Sequence, residues 1–297
     1  MTLTPRWLKP VDSLSVAFLG LLMAVTLGFH ARVPGWFALS LRYAGVIALV
    51  FSAAYVRRRR PESALFRQVH DFLVLFVILF TFDSLSGLTQ YVNGPEKDPA
   101  LAAIDLATFG AHPGAWLQGF IHPALTDILQ LCYTSYYFLP VSFCLLLYYR
   151  VGHEEYDRAV YGLTLGFFIS YLGYLFVPAL GPRFYLDGVF THDLMRGHLA
   201  TAINDTLNTL ENGNRDAFPS GHTEIVLIML IYAWRYRRWF FWVSLPLVSG
   251  LIMATMYLRY HYVVDVVAGA ALAPVSVWAG GRLYRMGVRA RLSKAGS

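Results

Sequence analysis

Apolar residues run along this chain in long blocks, not in strand-like alternation. A helix needs about 20 mostly apolar residues to cross a bilayer. Blocks of that kind occur at 13–31, 37–56, 68–90, 125–149, 159–180, 222–234, 239–258 and 262–281, the sixth being short. The pattern predicts an all-α integral membrane protein with about eight transmembrane helices. The first block is read as a span and not as a cleaved leader, because no small-residue cleavage site with a polar start follows it. Two long connections separate the blocks. Residues 91–124 mix Gly94-Pro95, His112-Pro113 and Trp116 with apolar positions, which predicts one or two helices lying in the membrane interface. Residues 181–219 are more polar, with Asn204, Asp205, Asn212, Gly213 and Asn214.

Composition agrees with this reading. Of 297 residues, 57% are hydrophobic and 14% charged, which excludes a disordered chain and an ordinary soluble enzyme. Cys132 and Cys144 both sit in apolar sequence and suggest neither a disulfide nor a metal site. Net charge is +6, from 24 Lys+Arg against 18 Asp+Glu. With so much apolar sequence, that balance points to a lipid bilayer and not to nucleic acid. Arg6 and Lys9, the run Arg57 to Arg60, Arg150 and Arg158, Arg235, Arg237 and Arg238, and the tail from Arg282 to Lys294 all fall on one side of an eight-span chain. The other side receives only Arg32, Lys97, Arg183, Arg196, Arg215 and Arg259. The positive-inside rule then puts both termini in the cytoplasm. The excess of arginine over lysine suits a GC-rich bacterial genome, which makes the membrane an inner membrane and its far side periplasmic. The run Arg57 to Arg60 divides a two-helix N-terminal segment, 1–61, from a six-helix core with a basic cytoplasmic tail, 62–297.

Three short segments hold ionisable residues at membrane depth, where they are expensive and signal function. They are Gly181-Pro182-Arg183, Pro219-Ser220-Gly221-His222, and Arg259-Tyr260-His261 running to Asp265. The predicted topology brings all three to the outer face. His261 and Asp265 are four apart and share a helix face, so the carboxylate can fix the imidazole tautomer and leave the other nitrogen as nucleophile or base. The same pair could equally be a structural hydrogen bond. Pro219-Ser220-Gly221 reads as a helix start, whose N–H groups and dipole suit a phosphate, with His222 beside it; a plain helix cap is the simpler alternative. Arg183 offers a forked donor for phosphate oxygens. Two histidines, a carboxylate, an arginine and a helix start suit metal-independent phosphoryl transfer, in which one histidine attacks phosphorus and the other protonates the leaving oxygen. No metal-ligand pattern and no cofactor motif is present.

At these residues the chain resembles the type 2 phosphatidic acid phosphatase (PAP2) superfamily. Its motifs are a Lys/Arg-Pro segment, Pro-Ser-Gly-His, and Ser-Arg-x5-His-x3-Asp. Residues 219–222 match the second in full, and His261-x3-Asp265 matches the end of the third. The family arginine six positions before His261 is Thr255 here, with Arg259 a candidate replacement, and the lysine seven before Arg183 is Phe176. Those departures, and the stretch from Asp105 to Tyr137 with Phe109-Gly110, Pro113 and Tyr136-Tyr137, resemble the inositol phosphorylceramide synthase branch. The resemblance implies a six-helix core preceded by two added helices. It also implies a phosphohistidine at His261 oriented by Asp265, His222 as proton donor and then base, and Arg183, Ser220 and Gly221 holding phosphate with help from Arg259. His192 and His198 match no motif and read as surface histidines. The resemblance leaves open whether an alcohol or water accepts the phosphoryl group. The first makes the chain a phosphotransferase moving a phosphorylated head group between lipid and alcohol, the second a phospholipid or polyprenyl (pyro)phosphate phosphatase. A non-catalytic lipid-binding or transport protein is the remote third reading. Eight spans exclude the soluble haloperoxidases that share this histidine chemistry.

Overall fold

The computed structural model describes residues 7–195, 197, 201, 203 and 214–293. Arg6, Arg196, His198, Asn204, Asp205, Asn212, Gly213 and Lys294 lie outside the described residues. Thirteen helices are named here in chain order among those described: α1 (Pro10–Gly28), α2 (Trp36–Arg59), α3 (Ala64–Ser86), α4 (Thr89–Val92), α5 (Asp98–Phe109), α6 (Pro113–Leu117), α7 (Pro123–Thr134), α8 (Leu139–Arg150), α9 (His153–Phe176), α10 (Pro182–Tyr185), α11 (Gly221–Tyr236), α12 (Arg238–Tyr257) and α13 (Val263–Ser293). No strand occurs among the described residues, and the chain is an all-α integral membrane protein.

Six helices, α1, α2, α3, α9, α12 and α13, are long and apolar enough to cross a bilayer. The expected span at 125–149 is two helices, α7 with its 3-10 extension and α8, meeting at 44°. Pro140 explains the break, since its ring meets the carbonyl four residues back and it has no N–H to give. The expected span at 222–234 is α11, whose 16 residues reach about 24 Å and fall short of the roughly 30 Å hydrocarbon layer. The connection at 91–124 contains the end of α4, then α5 and α6, with Gly94-Pro95 and His112-Pro113 at the breaks between them. The last helix runs on through the Arg-rich tail to Ser293, because arginine is a good helix former and no breaker intervenes.

Helix α9 is the axis of the fold. Two thirds of its apolar window (67%) is buried, against 22–39% for the other five long helices. Around it pack α1, α3, α8, α11 and α13. Phe18 of α1 stacks on Phe168 of α9 at 4.1 Å between ring centroids. At the end opposite the site, α1, α2 and α3 are joined by an ionic cluster. Lys9 Nζ lies 2.7 Å from Asp71 and 2.6 Å from Asp157, Arg57 reaches Asp71 at 3.0 Å, and His70 meets Asp12 at 3.1 Å. Burying so many charges is tolerable only because each has an opposite partner.

Candidate active site

Three chain segments meet at the end of α9, the start of α11 and the junction of α12 with α13. Each is held by backbone hydrogen bonds to another. Ser220 N donates to Asp265 O at 3.0 Å, Arg183 N to Arg259 O at 2.9 Å, and Ala217 N to Ala179 O at 3.1 Å. Gly181 has a left-handed φ of 93°, and a Cβ there would lie 2.5 Å from Tyr260 O. Only glycine lets the Arg183 segment approach the His261 segment so closely.

His261 is buried, and its Nδ1 lies 2.8 Å from Ala217 O and 3.5 Å from Asp265 Oδ2. Both neighbours are acceptors, so Nδ1 carries the proton and Nε2 presents a lone pair. That lone pair faces His222 Nδ1 at 3.5 Å. The expected His261–Asp265 pair is thus present, but the shorter hydrogen bond is to a backbone carbonyl. Asp265 is also occupied by Tyr262 N, which donates to Oδ2 at 2.8 Å. The His222 ring packs on Tyr136 and Tyr133, with centroids 4.2 and 4.8 Å away. Its Nε2 is buried with no hydrogen-bond partner among the described residues.

Arg183, His222 and His261 open onto one cavity of about 380 Å³, with Asp216 and Tyr260 in the same wall. The Arg183 guanidinium lies over the rings of Phe184 and Tyr260, at 4.6 and 4.7 Å. Arg259 is placed differently. Its guanidinium covers the Phe190 ring at 4.1 Å and donates to the His192 carbonyl, and the residue borders a second, far smaller cleft. Its backbone has a left-handed φ of 65°, and the cleft it borders is also lined by His261. Thr255 is fully buried, and its carbonyl accepts from Tyr260 N at 2.9 Å and His261 N at 3.0 Å. Phe176, at the position of the family lysine, is exposed. His192 is exposed, as expected of a surface histidine.

Ser220 and Gly221 lie behind the cavity wall. The Ser220 hydroxyl accepts from Thr223 N at 3.3 Å, so Ser220 caps α11 as the simpler reading held. The missing Cβ of Gly221 leaves room for the Tyr174 hydroxyl. Two aspartates that the motifs do not single out brace the site from α5. Asp98 accepts from Leu180 N at 2.9 Å, Gly181 N at 2.8 Å and the Tyr262 hydroxyl at 3.0 Å. Asp105 accepts from Val263 N at 2.8 Å and Val264 N at 3.0 Å, capping α13. Their seven-residue spacing puts both on one face of a helix, and that was the available signal. Among the described residues no three His, Cys, Asp or Glu side chains are grouped to hold a metal ion.

The sequence profile of the PAP2 superfamily matches residues 100–279. A PA-phosphatase related-family protein of Dictyostelium discoideum is 25% identical over 181 residues, covering 54% of this chain and 32% of its own. The chain therefore spans about a third of that relative's length. No solved structure matches the chain. The matched region contains Asp105 with most of α5 and all three segments of the site, over more than half of the sequence: the chain belongs to the PAP2 superfamily.

Proposed function

We propose that the chain is a membrane lipid phosphotransferase that works through a phosphohistidine at His261, with its site facing the outer side of the membrane. The observation that carries this is the Ala217 carbonyl 2.8 Å from His261 Nδ1, which leaves the Nε2 lone pair directed at His222 and the cavity. Superfamily membership supports lipid phosphatase or phosphotransferase chemistry in general. In the first step Nε2 attacks phosphorus, the N–P bond forms, and the bond to the leaving oxygen breaks. That oxygen takes its proton from the imidazolium form of His222, whose unpartnered Nε2 is the atom that gives it up, leaving a neutral ring. In the second step an acceptor hydroxyl gives its proton back to His222 and attacks, and the P–N bond breaks. Arg183 stabilises charge on the phosphoryl oxygens. Ser220 and Gly221 act through the start of α11, where the first N–H groups have no partner inside the helix. Asp265 and the Ala217 carbonyl are positioning groups.

The reading takes an alcohol as acceptor, in line with the resemblance of Thr255 and of the 105–137 stretch to the inositol phosphorylceramide synthase branch. If water attacks instead, the same residues make a lipid phosphate or polyprenyl pyrophosphate phosphatase. The test is to offer purified protein a panel of phospholipid and polyprenyl (pyro)phosphate donors, with and without inositol, glycerol, ceramide or diacylglycerol. Products are then identified by mass spectrometry. A new phosphodiester lipid that needs the acceptor supports transfer. Free phosphate that no alcohol diverts makes the protein a phosphatase. Unchanged turnover in His261→Ala removes the phosphohistidine.

A further inference from the structure

The cavity that starts at His222, His261 and Arg183 does not end with its polar groups. Its wall continues down α9 from Tyr174 through Phe167 to Tyr156, along α3 from Phe82 to Phe72, and along the bent pair from Tyr137 to Cys144. Tyr174 to Tyr156 is 174 − 156 = 18 residues of helix, or about 27 Å at 1.5 Å per residue. The hydrocarbon layer is about 30 Å thick, so one leaflet accounts for about 15 Å. The lining therefore passes the bilayer midplane and approaches the opposite interface. A volume of about 380 Å³ spread over that length has room for one chain abreast. Leu75, Leu79 and Tyr137 stand 39%, 59% and 38% exposed among the lining residues of α3 and the bent pair, so the groove opens sideways into lipid.

We infer that this groove holds a single hydrocarbon chain, continuous with the phosphate at His261 and longer than one leaflet is deep. The inference rests on the proposed reaction at the histidines and adds a length preference to it. A tail of ordinary leaflet length fills only the upper half and leaves the wall at Val160, Tyr156 and Phe72 without contacts. A second chain, where the lipid has one, stays in the bilayer through the side opening. The chemistry required is a long, slender, flexible hydrocarbon, whether alkyl or isoprenoid.

The test uses the full chain in detergent micelles with single-chain phosphates of short, leaflet-length and twice-leaflet-length tails, in alkyl and isoprenyl series at equal surface fraction. The longest tails are expected to exceed the shortest by about tenfold in kcat/KM, since only they gain the packing contacts of the lower wall, many small dispersion terms that add up. The series with the larger gain identifies the tail. Cys144→Phe narrows the groove partway down and is expected to cut the long-to-short ratio about tenfold, bulk in a packed wall being poorly accommodated. Leu79→Trp, at the exposed rim, serves if that variant does not fold. A diazirine at the far end of the longest phosphate is expected to label the wall near Phe72, Val160 and Tyr156. Equal turnover of all tail lengths, or label falling on outward-facing residues such as Phe76, overturns the inference. Label in the groove without turnover of any phosphate keeps the groove and removes the proposed reaction.

Discussion

Asp105 accepts two backbone N–H groups at the first turn of α13, at 2.8 and 3.0 Å, and is itself buried. Replacing it with alanine leaves both donors without an acceptor. A hydrogen bond to a charged group is worth about 1.5–3 kcal/mol, and losing a helix cap costs about 0.5–2 kcal/mol. The two descriptions overlap, so the expected destabilisation is about 2–4 kcal/mol. Asp105→Asn keeps a carbonyl for one of the two donors and should lose about half as much. The functional effect follows from the position of this turn, with His261 just before it and Asp265 within it. A displacement of about 1 Å can cost 10²-fold in rate, so kcat for Asp105→Ala should fall between about tenfold and a hundredfold, with KM changing less. Thermal unfolding in detergent, followed by intrinsic tryptophan fluorescence, reads the first quantity. Steady-state turnover of the best donor from the panel reads the second. An Asp105→Ala protein with wild-type unfolding temperature and turnover would refute the claim that α5 positions the site.

Asp265→Asn should slow turnover by about tenfold without abolishing it, because the Ala217 carbonyl still holds the Nδ1 proton of His261; complete loss would make the carboxylate the dominant positioning group. Gly221→Ala drives a methyl into the Tyr174 hydroxyl and should cost about 1–3 kcal/mol. Tyr174→Phe should restore that loss, and a double mutant as unstable as Gly221→Ala alone would contradict the packing described. Arg183→Ala should reduce kcat/KM far more than Arg259→Ala, since only Arg183 lines the large cavity; equal losses would return Arg259 to the phosphate site. Asp71→Ala leaves Lys9 and Arg57 facing each other without their shared carboxylate, at a cost of about 3–5 kcal/mol for an interrupted buried pair. Faster proteolysis between α2 and α3 in detergent would register it, and unchanged resistance would count against the cluster as the joint.

What was legible in the sequence was what the bilayer enforces. Long apolar blocks can be little else than membrane helices, and charged residues interrupting them had to gather somewhere, so His222, His261 and Asp265 were visible before any coordinates. The break at Pro140 was not assigned, because a hydropathy block does not distinguish a straight helix from two helices at an angle. Ser220 and Gly221 were legible as a helix start but not in their neighbours, since the Tyr174 hydroxyl arrives from a helix that ends some forty residues earlier. Arg259 was legible as a neighbour of His261 but not as lining a different cleft from Arg183, because adjacency in sequence does not say which cavity a side chain borders. The Ala217 carbonyl was invisible for a simpler reason, in that every residue has one.

The two aspartates of α5 also set the order in which the protein becomes complete. Asp98 meets Tyr262 across 164 positions, and Asp105 waits for Val263 and Val264 across 158 and 159. A chain made from its N-terminus therefore inserts α1 to α9 and folds back α5 long before the partner segment has been synthesised. Until then His222 has no His261 opposite it. On the reading proposed above, the nascent protein is inert toward the lipids around it, and catalytic competence arrives late, when the last helix closes against an acceptor pair already in place.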